Sequence, residues 1–268
     1  MKKLLAFTLL CSLLCTCLGL TAFADGGVTA YVTIADDSGK LVLAHKPVTV
    51  TDTDGDGVIS MADVLFAAHE AYYEGGAAAG FSASLTAYGL SLDKLWGIEN
   101  GGSYGYYLNN ASPNSLADPV ADGDTVAAYA YSDLTTWSDT YCYFDLAEAK
   151  IENGDSLTLT LSAAGYDAAW NPVVLPVEGA TITIDGTATE VITDAEGKAT
   201  LTLDEAGSFC ISAVSDTQTL VPPVCLVTVS ADIPHTGDVD TTALIALMLG
   251  SLCAMIVMLA RRHNCHEK

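Results

Sequence analysis

Apolar and polar positions alternate with a period of two along much of the chain, and a helical period interrupts them after Ser60. Val28, Ala30, Val32 and Ile34 share one face of a first predicted strand, residues 28–34. The turn Asp36-Asp37-Ser38-Gly39 returns the chain as a second strand, 41–51. Ser60, with Asp63 three residues on, has the form of a capping box with Asp in place of Glu, so a helix starts there. Leu65, Ala68 and Tyr72, flanked by Val64 and Ala71, make its apolar stripe, and Gly75-Gly76 ends it. Residues 81–90, 95–98, 104–108 and 125–131 read as further short strands. Two strands, a helix and more strands predict an α+β domain with one helix across a mixed sheet.

The pattern changes near residue 150. Short strands are predicted at 156–162, 172–175, 180–184, 189–192, 199–203, 209–213 and 225–229. Ala199, Leu201 and Leu203 point one way while Thr200 and Thr202 point the other. Short strands with turns every ~8–12 residues, such as Asp194-Ala195-Glu196-Gly197, predict an all-β, Ig-like sandwich. Asn153-Gly154-Asp155 reads as the turn between two domains, 25–148 and 152–231.

Charge narrows the choice of partners. The 268 residues carry 10 Lys+Arg against 33 Asp+Glu, a formal net charge of -23. Between Asp25 and Thr236 the only Lys or Arg side chains are Lys40, Lys46, Lys94, Lys150 and Lys198. Such a body cannot neutralise phosphates, so nucleic acid and anionic membranes are excluded as partners, and divalent cations are favoured.

Both ends read as addresses. Lys2 and Lys3, an apolar run and Ala22-Phe23-Ala24 predict a secretory signal peptide over residues 1–24. Residues 243–260 are apolar throughout and long enough to span a bilayer, with Arg261 and Arg262 directly behind. Before them stand Ile233, Pro234, His235, Thr236 and Gly237. Pentapeptide, span and basic tail over 233–268 resemble the sorting signal of Gram-positive surface proteins, with Ile for the usual Leu. The resemblance implies that a sortase cuts between Thr236 and Gly237 and joins Thr236 to the cell-wall peptide. The expected localisation is secreted and wall-anchored, with the membrane touched only by the span before processing. A plain single-pass membrane protein is the other reading.

Removing both ends leaves Cys142, Cys210 and Cys225, too few for a disulfide framework. Cys210 and Cys225 fall on neighbouring predicted strands; a bridge between them and buried free thiols both remain open.

The sharpest chemistry lies in residues 52–63. Asp52, Asp54 and Asp56 occupy positions 1, 3 and 5 of an EF-hand calcium loop, Gly57 the sharp-turn position and Val58 the carbonyl position. Ser60 stands at position 9, and Asp63 closes the site at position 12. These six residues are the expected calcium ligands. The short closing Asp and the apolar helix behind it resemble the calcium loops of dockerin modules, of which one repeat is found. An acidic turn that merely caps a helix is the competing account, but three packed Asp without a cation repel one another.

Tyr residues crowd the first half: all except Tyr166 lie between Tyr31 and Tyr143. Leu95-Trp96-Gly97-Ile98, Tyr104-Gly105-Tyr106-Tyr107-Leu108-Asn109 and Asp122-Gly123-Asp124-Thr125-Val126 resemble the transcobalamin-like C-terminal domain family over about residues 28–131. That resemblance implies a β-grasp fold. It also raises corrinoid-type binding as an alternative, although the chain has no room for the helical barrel that shares that task. Val177-Glu178-Gly179-Ala180-Thr181-Ile182 and Thr193-Asp194-Ala195-Glu196-Gly197-Lys198-Ala199 resemble bacterial Ig-like surface repeats, which act as stalks.

Trp96, Tyr104, Tyr106 and Tyr107, with Tyr129, Tyr131, Trp137, Tyr141 and Tyr143 behind them, could form an aromatic platform for a glycan, a small molecule or a host protein. Adjacent Tyr106 and Tyr107 point to opposite faces of a strand, so one of them is expected at the surface. If the Tyr are core instead, a purely structural surface component results. No nucleophile elbow, catalytic Cys run or zinc-protease motif occurs, and His69 reads as a packed or solvated helix residue. The sequence thus predicts a non-enzymatic, calcium-stabilised binding or adhesion module on an Ig-like stalk.

Overall fold

The computed structural model describes residues 27–169 and 171–231. The signal peptide, Ile233, Pro234, His235, Thr236, Gly237, the apolar stretch 243–260 and the basic tail lie outside the described residues. Among the described residues, no helix is long and apolar enough to cross a membrane. The chain is mostly β-sheet, consistent with an Ig-like all-β sandwich that carries an α+β part.

The first part begins with the predicted hairpin, β1 (Val28–Ala35) and β2 (Leu41–Val50). Its register slips opposite Thr33, where His45 bulges with φ 43°. Helix α1 (Met61–Tyr72) follows, then a short α2 (Gly76–Gly80), β3 (Ser82–Thr86), β4 (Gly89–Lys94), β5 (Tyr104–Leu108) and β6 (Thr125–Ala130). The sheet order is β2-β1-β6-β5, with β6 parallel to β1 and the other pairs antiparallel. Helix α1 lies against β1, β2 and β6. It buries Met61, Val64, Leu65 and Ala68 on Ala30, Val32, Ile34, Val126 and Ala128. Ala71 and Tyr72 fall off that stripe and are exposed.

Two expected strands take another form. Residues 81–90 fold as part of the β3–β4 hairpin, because Gly89 (φ 100°) lets the chain reverse. Residues 95–98 form a tight reversal with Trp96 at φ 50° and Gly97 at φ 79°.

All seven strands predicted in the second half appear: β9 (Ser156–Tyr166), β10 (Pro172–Pro176), β11 (Thr181–Ile184), β12 (Thr187–Ile192), β13 (Lys198–Thr202), β14 (Gly207–Val214) and β16 (Cys225–Ser230). Three more join them: β7 (Thr140–Phe144), β8 (Glu148–Glu152) and β15 (Leu220–Val221). One sheet holds β10, β9, β7 and β15, with β13 also on β9; the other runs β12-β11-β14-β16-β8. Leu159, Leu161, Ile182, Ile211 and Val227 close the core between them.

The expected boundary at 148–152 moves. β7 pairs with β9, and β8 runs parallel to β16, so both belong to the sandwich. The chain passes from one sheet to the other between them, held by Asp145 N–H to the Thr160 carbonyl (3.0 Å) and Leu226 N–H to the Ala147 carbonyl (2.8 Å). Asn153-Gly154-Asp155 is therefore a turn within the sandwich.

The described residues up to Ser230 form one compact unit. Ala35, Ala127 and Tyr129 from the first part meet Tyr141 and Val221 of the sandwich, with Tyr107, Tyr131 and Tyr143 packed around them. Tyr107 and Tyr141 stack at 3.7 Å between centroids, 8° from parallel. The first sheet thus has both faces covered, α1 on one and the sandwich on the other. This explains why β6 reads as an unbroken apolar run, Val126 to Ala130.

The three thiols are free. Cys225 stands opposite Ile211 and points into the core, whereas Cys210 stands opposite Leu226 on the other face. A period of two puts neighbouring register positions on opposite sides of a sheet, so no bridge can close.

Candidate metal centre

The loop from β2 to α1 is shaped by its own acids and glycines. Gly55 (φ 78°) and Gly57 (φ 91°) take left-handed turns that a side chain would strain. Asp52 gathers the loop, its two oxygens accepting from Gly55 N–H (2.7 Å) and Gly57 N–H (2.8 Å). Asp54 accepts from Asp56 N–H (3.2 Å), and Asp56 from Val58 N–H (2.8 Å). Ile59 packs into the helix-side core, and its carbonyl accepts from Val120 N–H (2.8 Å), which ties the loop's exit to the strand-like segment before β6.

The capping box forms as predicted. The Ser60 hydroxyl accepts from Asp63 N–H (3.3 Å), and Asp63 Oδ2 accepts from the Ser60 N–H (2.9 Å) and hydroxyl (2.7 Å). Asp63 Oδ1 accepts from Thr53 N–H (2.9 Å) at the far end of the loop. Asp63 is buried. Burial alone would raise its carboxyl, but the hydrogen bonds from Ser60 and Thr53 outweigh that and hold it below the ordinary carboxylate value.

One oxygen each from Asp52, Asp54 and Asp63 lies within 4.8 Å of the others. Carboxylates at such separations repel by about 1 kcal/mol per pair in water and about 4 kcal/mol at an effective dielectric of 20. A cation at their centre reverses the sign of that term. Oδ2 of Asp63 already accepts twice, so Oδ1 is the atom left to meet an ion, as a single ligand. Of the other expected ligands, Asp56 stands outside the three-carboxylate group, Val58 offers at most its backbone, and the Ser60 hydroxyl is committed to Asp63. Oxygen donors at EF-hand spacing suit a hard divalent cation.

The four aromatic candidates do not meet on an exposed face. Tyr104 is buried, its hydroxyl donating toward the Asp93 (2.9 Å) and Ile98 (2.7 Å) carbonyls while accepting from Asn100 N–H (3.2 Å). Tyr106 and Trp96 pack against the helix-side core, and Tyr107 enters the layer between sheet and sandwich. Tyr106 and Tyr107 do point to opposite faces, but each face is covered and neither is exposed. Burial pushes the Tyr107 phenol up to about 12 and raises those of Tyr129 and Tyr141 as well. Among the described residues, the aromatic side chains that do reach solvent are Tyr88, 90% exposed at the tip of the β3–β4 hairpin beside Leu85 (82%), together with Trp137, Tyr166 and Tyr72.

No family model and no curated protein matches the chain. Among solved structures, the teleost fish polymeric Ig receptor ectodomain is similar at 14% identity and a TM-score of 0.21. The match covers 50% of this chain and 65% of the receptor chain, less than two thirds of it. At that score the likeness carries no argument about fold or role.

Proposed function

We propose that the chain is a secreted, wall-anchored surface protein in which calcium staples a β-grasp-like module standing on an Ig-like sandwich. The observation that carries the calcium reading is the convergence of Asp52, Asp54 and Asp63 on a loop of EF-hand spacing. The sheet order β2-β1-β6-β5, with one helix across it, supports the β-grasp reading. The aromatic layer supports a joined head and stalk rather than two beads on a flexible thread. Anchoring rests on Ile233, Pro234, His235, Thr236 and Gly237 followed by the apolar span. The role is display and support, without catalysis.

A second reading, capture of a glycan or host protein, is favoured by the exposed pair Leu85 and Tyr88 on the β3–β4 hairpin rather than by Trp96, Tyr104, Tyr106 and Tyr107. Cell fractionation after muramidase treatment tests the anchoring. The protein should be released joined to wall fragments, and deletion of residues 233–237 should leave it in the membrane. Full-length protein in the membrane with or without that deletion overturns the sortase reading.

A further inference from the structure

At the far end of α1 from the acidic loop, the chain buries a histidine that neither the metal nor the display role uses. His69 is 0% exposed. The rings of Trp96, Phe81 and Tyr73 surround it at 5.2, 5.4 and 6.0 Å between centroids. Nδ1 lies 2.6 Å from the Leu65 carbonyl, which can only accept. Nε2 lies 3.0 Å from the Trp96 backbone nitrogen, which can only donate. The two partners together require a neutral ring with its proton on Nδ1.

The Trp96 amide belongs to the reversal in which Leu95 and Ile98 exchange backbone bonds of 3.1 and 2.9 Å. Trp96 and Gly97 both take positive φ there, and a tryptophan is an unfavourable occupant of that region. Gly97 N–H donates to the Gly80 carbonyl (2.9 Å), and a Cβ at Gly97 would collide with the Tyr73 hydroxyl. A strained turn is thus held at its strained residue by one imidazole nitrogen.

We propose that His69 is an acid-released latch: the neutral imidazole holds the Trp96 turn against α1, and a proton on Nε2 replaces the acceptor with a donor and frees the turn with its indole. Among the described residues, none near the ring is placed to neutralise an imidazolium. Glu70, next on α1, accepts from Ala77 N–H (3.0 Å). From the β4 side, Lys94 pairs with Glu99 at 2.9 Å, and the Asp93 carboxylate accepts from Ser84. The Tyr104 hydroxyl is held by the Asp93 and Ile98 carbonyls, and α2 carries no titratable side chain. The titratable ring in contact with His69 is the Tyr73 phenol.

Burial lowers the affinity of His69 for a proton, with the Leu65 bond opposing in part, so its value lies below the ordinary 6.5. A folded state that binds fewer protons than the unfolded chain keeps the latch's full contribution above about pH 6.5 and loses it as pH falls toward the folded value. The surface would then present Trp96 in acid and withhold it at neutral pH.

The test is nitrogen NMR on the full-length chain in mild detergent. At pH 7 the His69 ring should report a proton on Nδ1. On acidification the ring and the Trp96 amide should change with one shared midpoint below pH 6.5. His69→Gln, which keeps an acceptor near the Nε2 position but cannot titrate, should hold the Trp96 amide still across the same range. A Trp96 amide that moves equally in His69→Gln, or that stays fixed while the ring of the unaltered protein titrates, overturns the proposal. Should His69→Gln not fold, the tautomer and the shared midpoint in the unaltered chain decide alone.

Discussion

Tyr141→Ala probes the layer that joins the two parts of the molecule. Tyr141 is 6% exposed, stacks on Tyr107 at 3.7 Å, lies 6.3 Å from Tyr129 and 6.1 Å from Tyr143, and its hydroxyl donates to Asn110 Oδ1 at 2.8 Å. Removing a buried aromatic ring costs about 3–5 kcal/mol, through lost transfer energy and the void left behind. That figure includes the stacking, which alone is about 0.5–1.5 kcal/mol. Tyr141→Phe isolates the hydroxyl and should cost about 0.5–1.5 kcal/mol. The assay is urea unfolding followed by circular dichroism, with scanning calorimetry beside it. The unaltered chain should unfold in one transition. Tyr141→Ala should lose about 3–5 kcal/mol and separate the α+β part from the sandwich into two transitions. A loss below about 1 kcal/mol with a single transition retained would refute the reasoning that this layer couples them.

Three further outcomes follow from the same structure. Because the Tyr107, Tyr129 and Tyr141 phenols are raised by burial, the layer's contribution is full below pH 10 and should fall as pH rises above it; alkaline unfolding midpoints measure this. The capping box should make Ser60→Ala cost about 0.5–2 kcal/mol in thermal unfolding, and Asp63, held low by its hydrogen bonds, should contribute stability above its ordinary value of 3.8 that fades as pH falls below it. Peptide mass mapping without reductant should find Cys142, Cys210 and Cys225 as thiols, with Cys142 and Cys225 resisting maleimide until the chain unfolds; burial pushes the Cys225 thiol up to about 12.

Features encoded within a few neighbouring residues were legible in the sequence. The acidic loop needs only its own spacing, the capping box only Ser60 and Asp63, and the seven predicted sandwich strands only their local pattern and turns. What escaped depends on distant partners. Thr140–Phe144 shares the aromatic character of the first half, so composition placed it there, although its pairing is with β9. Glu148–Glu152 looks like a polar linker until β16 is laid beside it. A period of two puts Tyr106 and Tyr107 on opposite faces, but whether both faces are covered depends on how the sheet docks on the sandwich. His69 meets the Trp96 amide across 27 residues, and no local pattern announces that bond.

Calcium titration of the full-length chain by calorimetry, paired with thermal unfolding, tests the central claim most directly. A single loop closed by a single-oxygen Asp63 should bind with a Kd on the order of 10⁻⁴–10⁻³ M. Calcium at ten to a hundred times Kd then adds about 1.4–2.7 kcal/mol, a rise of about 3–10 °C in Tm. Asp52→Ala, which removes the carboxylate that gathers Gly55 and Gly57, should abolish both the heat and the rise. No heat and no change in Tm at 10 mM calcium, on the order of ten times the weakest expected Kd, would contradict the account.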